Sequence, residues 1–134
     1  MTDLPHVRVS SFDIERLERV IASTGGPEAA RLEDELMRAE VIDVAAVPPT
    51  LVTMNSRVRY RDELAETEHT ITLVFPHEAD ASQGRVSILA PIASALLGLT
   101  VGDAIEWPVP RDRTTRLRVL GLEYQPEAAG DLRR

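Results

Sequence analysis

The chain has 134 residues with 22 acidic and 15 basic side chains, a formal net charge of −7 and no cysteine. This length fits one ordinary domain, or one small domain with an appendage. The acidic balance excludes non-specific attraction to nucleic acid over the whole surface, and the lack of cysteine excludes disulfides, thiolate metal sites and cysteine nucleophiles. We find neither a signal peptide nor an apolar run long enough to cross a bilayer, so we expect a cytoplasmic protein with no membrane partner.

The first third of the chain has the pattern of two amphipathic helices. After a frayed lead at residues 1–9, Ser10 and Asp13 have the spacing of a capping box, which predicts the start of a helix. The sequence Thr24-Gly25-Gly26 ends this helix, and Pro27 favours the first turn of a second one. Apolar residues recur at helical spacing, at Phe12, Ile14, Leu17, Val20, Ile21, Ala29, Leu32, Leu36 and Ala39. Two helices joined by so short a turn are antiparallel neighbours.

A domain boundary is predicted near residue 48, because Pro48 and Pro49 cannot continue a helix. The first domain, residues 1–48, is a short coiled-coil hairpin that we call the arm. With ~13 residues in its first helix and a rise of ~1.5 Å per residue, the arm is only about 20 Å long. Because its apolar face is small, we expect few contacts across the boundary and independent folding of residues 50–134.

In the second domain, residues 49–134, the apolar period changes from helical to alternating. Alternation predicts five strands, at Val52–Tyr60, Ile71–Phe75, Val86–Leu89, Ala104–Trp107 and Leu117–Tyr124. In the last strand the apolar phase slips between Val119 and Leu120, next to Gly121, which predicts a β-bulge. The order of elements predicts an α+β fold in which a bent antiparallel sheet packs on one helix.

That helix lies in the most informative run of the chain, residues 89–108. Pro91 suits the first helical position, and Gly98 suits the left-handed residue just past the helix end. Leu99 is expected to pack back onto the last turn of the helix. Gly102 and Asp103 form a tight turn into the following strand.

The run from Leu89 to Asp103, LAPIASALLGLTVGD, resembles the C-terminal domain of the Gre family of bacterial transcription elongation factors. Residues 52–58, 75–80 and 124–131 are similar to the branch of regulators of nucleoside diphosphate kinase (Rnk). The resemblance implies an FKBP-like second domain that binds RNA polymerase near its secondary channel. It also implies a polymerase-docking loop at Leu89, Ala90 and Pro91, although Gre cleavage factors usually have serine where Ala90 stands.

The tip of the arm comprises Gly25, Gly26, Pro27 and Glu28. In Gre factors a longer coil carries an acidic pair at this tip, which helps to hold a catalytic magnesium for transcript cleavage. Here Glu28 is the only tip carboxylate, and one exposed carboxylate is a weak magnesium ligand. We therefore expect no metal site, no cofactor and no catalytic residue, and a factor that competes with Gre proteins without stimulating cleavage.

Arginines that alternate along one strand form a candidate phosphate-binding or nucleic-acid-binding patch. If the first and last strands are neighbours, the patch includes Arg57, Arg59, Arg61, Arg116 and Arg118. The alternative is a solvated sheet face neutralised by Asp62, Glu63, Glu66 and Glu68. No aromatic residues are interleaved to stack bases, so we expect at most a weak electrostatic contact.

Three functions remain open from the sequence. The first is a non-enzymatic, monomeric regulator of transcription elongation that binds RNA polymerase. The alternative is an FKBP-like peptidyl-prolyl isomerase, but the chain has few aromatic residues to line such a pocket. The third, an influence on nucleoside diphosphate kinase, has no identifiable site, and we interpret it as a consequence of transcriptional control.

Overall fold

A computed structural model describes residues 7–131. The N-terminal part is a hairpin of two helices, α1 (Ser11–Thr24) and α2 (Gly26–Met37). The strands that flank the hairpin, β1 (Arg8–Ser10) and β2 (Glu40–Ile42), pair in parallel and close its base. The predicted helical hairpin is therefore confirmed.

The ends of α1 follow the predicted local signals. Ser10 is the N-cap residue, and its Oγ accepts a hydrogen bond from the Asp13 N–H at 3.0 Å. Gly25 ends the helix with a φ of +68°, which residues that carry a β-carbon rarely adopt. The Asp13 carboxylate accepts a hydrogen bond from the backbone of Met54, far along the chain. The capping residue thus also links the arm to the second half of the protein.

The expectation of a frayed lead is wrong for residues 7–9. Val7 and Val9 are buried, and β1 begins between them. The Arg8 N–H donates a hydrogen bond to the Gly98 carbonyl at 3.2 Å, and the Glu40 N–H donates to the Val7 carbonyl at 2.9 Å. The remainder of the predicted lead, residues 1–6, lies outside the described residues, as do residues 132–134.

The prediction of a strand from Val52 is also wrong, because the strand begins at Arg57. All six residues from 51 to 56 are buried, so the apparent alternation of polar and apolar residues does not reflect two faces. The polar groups of this loop pair locally: the Thr53 N–H donates to Ser56 Oγ at 2.9 Å. We call residues 48–56 the linker.

The second half of the chain contains the predicted five-stranded sheet. Its strands are β3 (Arg57–Asp62), β4 (Thr67–Val74), β5 (Arg85–Ser87), β6 (Ala104–Val109) and β7 (Arg113–Tyr124). They lie in the order β5-β4-β3-β7-β6, so the first strand of this sheet, β3, and the last, β7, are neighbours, which is the condition set for the arginine patch. The sheet is mixed, not antiparallel, because β4 and β5 run in parallel. Two short 3₁₀ turns, Pro76–Glu78 and Ala81–Gln83, lie in the crossover that parallel pairing requires.

The predicted bulge in β7 is confirmed. Arg59 pairs with Gly121 and Tyr60 pairs with Val119, so Leu120 is the extra residue. The register shifts a second time between Arg57 and Val58. Register shifts of this kind bend a strand locally and increase its twist.

Two helices accompany the sheet, where one was predicted. The predicted one, α3 (Pro91–Leu96), has Pro91 in its first turn, and Gly98 follows it with a φ of +83°. The second, α4 (Pro126–Ala129), follows β7 and packs beside the linker. Gln125 Nε2 donates to the carbonyls of Pro48 at 2.8 Å and Leu51 at 2.6 Å. These hydrogen bonds attach the segment that follows β7 to the linker.

One hydrophobic cluster runs through both halves of the chain. It includes Leu17 and Leu32 of the arm together with Met54, Leu73 and Leu96 of the second half, each at most 1 % exposed. The expectation of few contacts across residue 48 is therefore wrong. The division into two domains, residues 1–48 and 49–134, remains a prediction.

Candidate functional site

The predicted docking loop, Leu89–Pro91, forms a fixed turn at the start of α3. The Ala90 N–H donates to the Ser87 carbonyl at 2.9 Å, and the Leu89 N–H donates to Ser87 Oγ at 3.1 Å. Ser94 Oγ donates to the Pro91 carbonyl at 3.1 Å and holds the first turn of the helix. Leu89 and Ala90 are half-buried and Pro91 is exposed. The loop thus presents a rigid apolar corner to the solvent.

Beside this corner lies a cleft of about 690 Å³ between the arm and the sheet. One wall is α2, the opposite wall is the edge strand β6, and one end is α3. Its lining residues are Val7, Arg31, Glu35, Arg38, Pro91, Ser94, Ala95, Leu99, Ala104, Ile105, Glu106, Trp107 and Pro108. Sequence analysis missed this cleft because its walls come from three segments that are distant in the chain.

The cleft combines an apolar floor with a mixed charged rim. Arg31 and Arg38 are exposed on the α2 wall, and Arg38 forms an ion pair with Glu35. Glu106 stands on the β6 wall, next to Trp107, which is half-buried and is the single tryptophan of the chain. Such a surface can hold an apolar or aromatic group of a partner and can orient it by its charges.

The predicted arginine patch is assembled, but ion pairs hold four of its five arginines. The β3–β7 pairing places Arg61 opposite Arg118, and Arg116 lies opposite Glu106 on β6. Ion pairs join Arg57 to Glu123 at 3.0 Å, Arg59 to Glu68 at 3.5 Å, Arg61 to Glu68 at 3.9 Å and Arg118 to Glu63 at 2.8 Å. These partners include Glu63 and Glu68, which the sequence offered as neutralising groups. The local field available to a phosphate backbone is correspondingly weak.

The tip of the arm is an exposed turn. Gly25 and Gly26 have positive φ values of +68° and +87°, and Pro27 and the exposed Glu28 open α2. A carboxylate in the first turn of a helix interacts favourably with the helix dipole. Among residues 7–131, no group of three histidine or acidic side chains is placed to hold a metal ion.

The sequence did not identify the buried charged group at the junction of arm and sheet. Asp13 is 1 % exposed, and its carboxylate contacts Arg16 at 2.6 Å and the Met54 N–H at 3.0 Å. Burial raises the pKa of Asp13 above its ordinary value, and the hydrogen bonds from Met54 and Arg16 oppose that rise. The sequence pattern at Asp13 indicates only a helix start. The hydrogen bond from the Met54 N–H could not be predicted from it, because that bond depends on the tertiary fold.

Comparison with known proteins places this chain and its fold in one class, the GreA/GreB type of transcription elongation factor. The model of the GreA/GreB C-terminal domain matches residues 47–124, and the model of the Rnk N-terminus matches residues 5–42. The chain is 44 % identical to the regulator of nucleoside diphosphate kinase of Escherichia coli, over 95 % of this chain and 96 % of that protein. The chain therefore belongs to the GreA/GreB family, in its Rnk branch.

Another relative and two solved structures match this chain to different extents. GreA of Sinorhizobium medicae is 46 % identical over 60 % of this chain but only 51 % of its own length. A GreA/GreB-type elongation factor from Nitrosomonas europaea has a structure that matches with a TM-score of 0.73 and 48 % identity, over 90 % of this chain and all of that chain. Gfh1 of Thermus aquaticus, at 20 % identity and a TM-score of 0.51, shares the fold.

These matches are to proteins named as transcription factors and regulators, and they give no support to the alternative of a prolyl isomerase. The fold comparison confirms an α+β protein with an N-terminal hairpin and a curled sheet. Within residues 7–131, no helix is long and apolar enough to span a membrane.

Proposed function

We propose that this protein is a non-enzymatic regulator of transcription elongation that binds bacterial RNA polymerase through its docking loop. The arm then points towards the secondary channel and occupies it without stimulating transcript cleavage. Gre cleavage factors compete for the same place. The observation that carries this proposal is the short arm with a single carboxylate at its tip.

The length of the arm supports occupancy without cleavage. Helix α1 has 14 residues and α2 has 12, so the arm extends about 20 Å at ~1.5 Å per residue. Glu28 is the only acidic residue in the turn formed by residues 24–28. A magnesium ion in a transcription site needs several oxygen ligands, and a single distant carboxylate adds little to its binding.

The docking loop supports the choice of surface. Pro91 is exposed at a corner that backbone and Ser87 hydrogen bonds hold in place, so binding there costs little ordering entropy. The cleft beside it continues the same surface with apolar residues and Trp107. A partner that touches the corner gains further buried area in the cleft.

A competition experiment tests the proposal. Backtracked elongation complexes receive a GreA-type cleavage factor and increasing amounts of this protein; we expect cleavage to fall, and no cleavage when this protein is added alone. Pro91→Arg adds bulk and charge to the corner and should abolish the competition. Pro110→Arg, at an exposed proline in the β6–β7 turn, is the matched control and should compete like the wild type. Cleavage by the wild-type protein alone contradicts the proposal.

The name of the Escherichia coli relative links it to nucleoside diphosphate kinase. We propose that any such effect of this protein is indirect and follows from altered transcription. A direct complex of the purified protein with the kinase, detected by analytical ultracentrifugation, would contradict this view. The same experiment tests the expected monomeric state.

A further inference from the structure

We propose that Asp13 is a positioning residue that sets the direction of the arm relative to the docking loop, through its hydrogen bond to the Met54 N–H. This inference rests on the proposed function, because the direction of the arm matters when the docking loop is bound. The carboxylate belongs to α1, and Met54 belongs to the linker of the globular half. Their hydrogen bond of 3.0 Å is buried and joins residues 41 positions apart.

The apolar core alone does not specify this direction. Leu17, Leu32 and Leu36 pack the arm against the second half, but apolar contact is non-directional and tolerates sliding. A buried hydrogen bond to a charged acceptor is directional, and breaking it leaves a desolvated N–H or carboxylate without a partner. The bond therefore penalises arm orientations that separate the Asp13 carboxylate from the Met54 N–H.

Arg16, which lies on the same helix as Asp13, supports the buried carboxylate. Its guanidinium contacts the Asp13 carboxylate at 2.6 Å and thus offsets the cost of burying that charge. The same guanidinium lies 4.1 Å from the ring centroid of Phe12 and 4.7 Å from that of Phe75. Phe75 follows β4, so the cation–π contact is a further attachment of the arm to the second half, beside the Asp13–Met54 bond and the hydrogen bond from Arg8 to Gly98.

A positioning bond requires a fixed partner, and the linker meets this requirement. The Val52 N–H donates to the Leu99 carbonyl at 2.8 Å, and the Asn55 N–H donates to the Leu73 carbonyl at 2.7 Å. Gln125 holds the Leu51 carbonyl at 2.6 Å. Met54 is thus anchored on both sides.

The same contacts connect the linker to the docking loop. Leu99 follows Gly98, whose N–H donates to the Val52 carbonyl at 3.0 Å. Helix α3 runs from the docking loop to this point, so the buried linker is bonded directly to the end of the element that the docking loop begins. Through Met54 and the linker, Asp13 therefore fixes the position of the arm relative to α3, the helix that presents Pro91.

A distance measurement on the free, full-length protein tests the inference. The chain contains no cysteine, so spin labels go only to Ala22→Cys near the tip and Ala65→Cys in the β3–β4 turn, both exposed positions. We expect a single narrow distance peak by pulsed electron resonance. Asp13→Ala should lose that single peak, because the acceptor for Met54 is gone. Asp13→Asn is the matched control, since its amide oxygen still accepts from Met54, and it should keep the peak.

Several outcomes overturn the inference. If Asp13→Ala keeps the narrow distance peak of the wild type, Asp13 affects only stability. If the distance distribution is broad in Asp13→Asn or in the wild type, this hydrogen bond does not position the arm. If Asp13→Ala does not unfold cooperatively, the wild type and Asp13→Asn provide the test. The Met54 amide must then be protected from hydrogen exchange in both proteins, and loss of protection in either one contradicts the inference. Because no polymerase is present, failure of the proposed function leaves this result intact. With polymerase, Asp13→Ala should bind in a pull-down yet lose competition with a cleavage factor.

Discussion

The α-carbon of Gly98 faces the side chain of Val7 so closely that a β-carbon at position 98 would lie 2.5 Å from Val7 Cγ1. The carbonyl of Arg8 would lie 3.0 Å from the same β-carbon. A glycine is therefore required at position 98 for two reasons: the backbone has a positive φ just after α3, and β1 approaches too closely for a β-carbon. The second reason exists only because the N-terminal strand packs on the end of this helix.

The glycines at positions 98 and 102 both have positive φ, yet they should differ in tolerance to alanine. Around Gly102 a β-carbon would meet nothing within 4 Å, so Gly102→Ala should cost only the backbone strain of about 1–2 kcal/mol. Gly98→Ala adds a clash worth about another 1–3 kcal/mol. Urea denaturation of both variants measures the difference. Equal losses of unfolding free energy would mean that β1 does not pack on Gly98.

The shared core predicts that the arm and the sheet unfold together. Leu32→Ala should lower the free energy of unfolding by about 2–5 kcal/mol, because Leu32 is fully buried in the common cluster. Trp107 fluorescence and helical circular dichroism should report the same shifted transition, since Trp107 lies in β6. Met37→Ala, at a side chain 79 % exposed on the same helix, is the control and should change stability by less than about 0.5 kcal/mol.

Two separate transitions in Leu32→Ala, with the tryptophan signal unmoved, would restore the independent folding of residues 50–134 that the sequence suggested. The structure instead predicts that this fragment alone loses cooperative unfolding. Without the arm, Met54 and its apolar neighbours in the common cluster would be exposed to water.

Asp62 predicts a component of the acid sensitivity. The Thr115 hydroxyl donates to its carboxylate at 2.5 Å, and with the Ala65 and Leu64 N–H groups it lowers the pKa of Asp62 below the ordinary 3.8. The pKa of Asp62 is lower in the folded than in the unfolded protein. The resulting stabilisation is therefore present above pH 3.8 and is lost as the pH falls through the folded-state pKa.

The wild type should therefore lose more stability on acidification than Asp62→Asn does, measured by denaturation between about pH 6 and about pH 3. Thr115→Val removes the largest contributor and should raise the pKa of Asp62 in an NMR titration. Asp80, whose pKa is lowered mainly by the Ser82 hydroxyl, titrates in all three proteins and cancels in the comparison. Parallel stability curves for the wild type and Asp62→Asn would refute the assignment.

The paired arginines predict weak, salt-dependent contact with nucleic acid. Glu68→Gln releases Arg59 and Arg61 from their shared partner and should strengthen binding of single-stranded RNA at low salt, with a steeper dependence on salt. Glu28→Gln makes the same change of charge at the tip and should leave binding unchanged. Filter binding over a range of salt concentrations measures both variants. If the two variants bind alike, the arginine patch takes no part in nucleic-acid contact.

The sequence by itself determined the elements whose cause is local. Ser10 and Gly25 set the ends of α1, Pro91 and Gly98 set those of α3, and the slipped apolar phase beside Gly121 located the bulge. In each case the stereochemistry of one residue or of its near neighbours decides the backbone, so a few letters suffice. The single tip carboxylate, Glu28, could also be identified directly from the sequence. The docking corner was predicted from the resemblance to the Gre family, because no local pattern marks a residue as a polymerase contact.

The tertiary structure decided what depends on residues far apart in the chain. The alternation at residues 52–56 predicted a strand, but contacts with Leu99, Leu73 and Asp13 bury that segment as a loop. The cleft and the parallel pairing of β5 likewise come from separate segments, whose meeting no short pattern specifies. Asp13 shows the difference most clearly: its place in the sequence predicts a helix start, and only the packing of the arm on the linker makes it a buried acceptor for Met54.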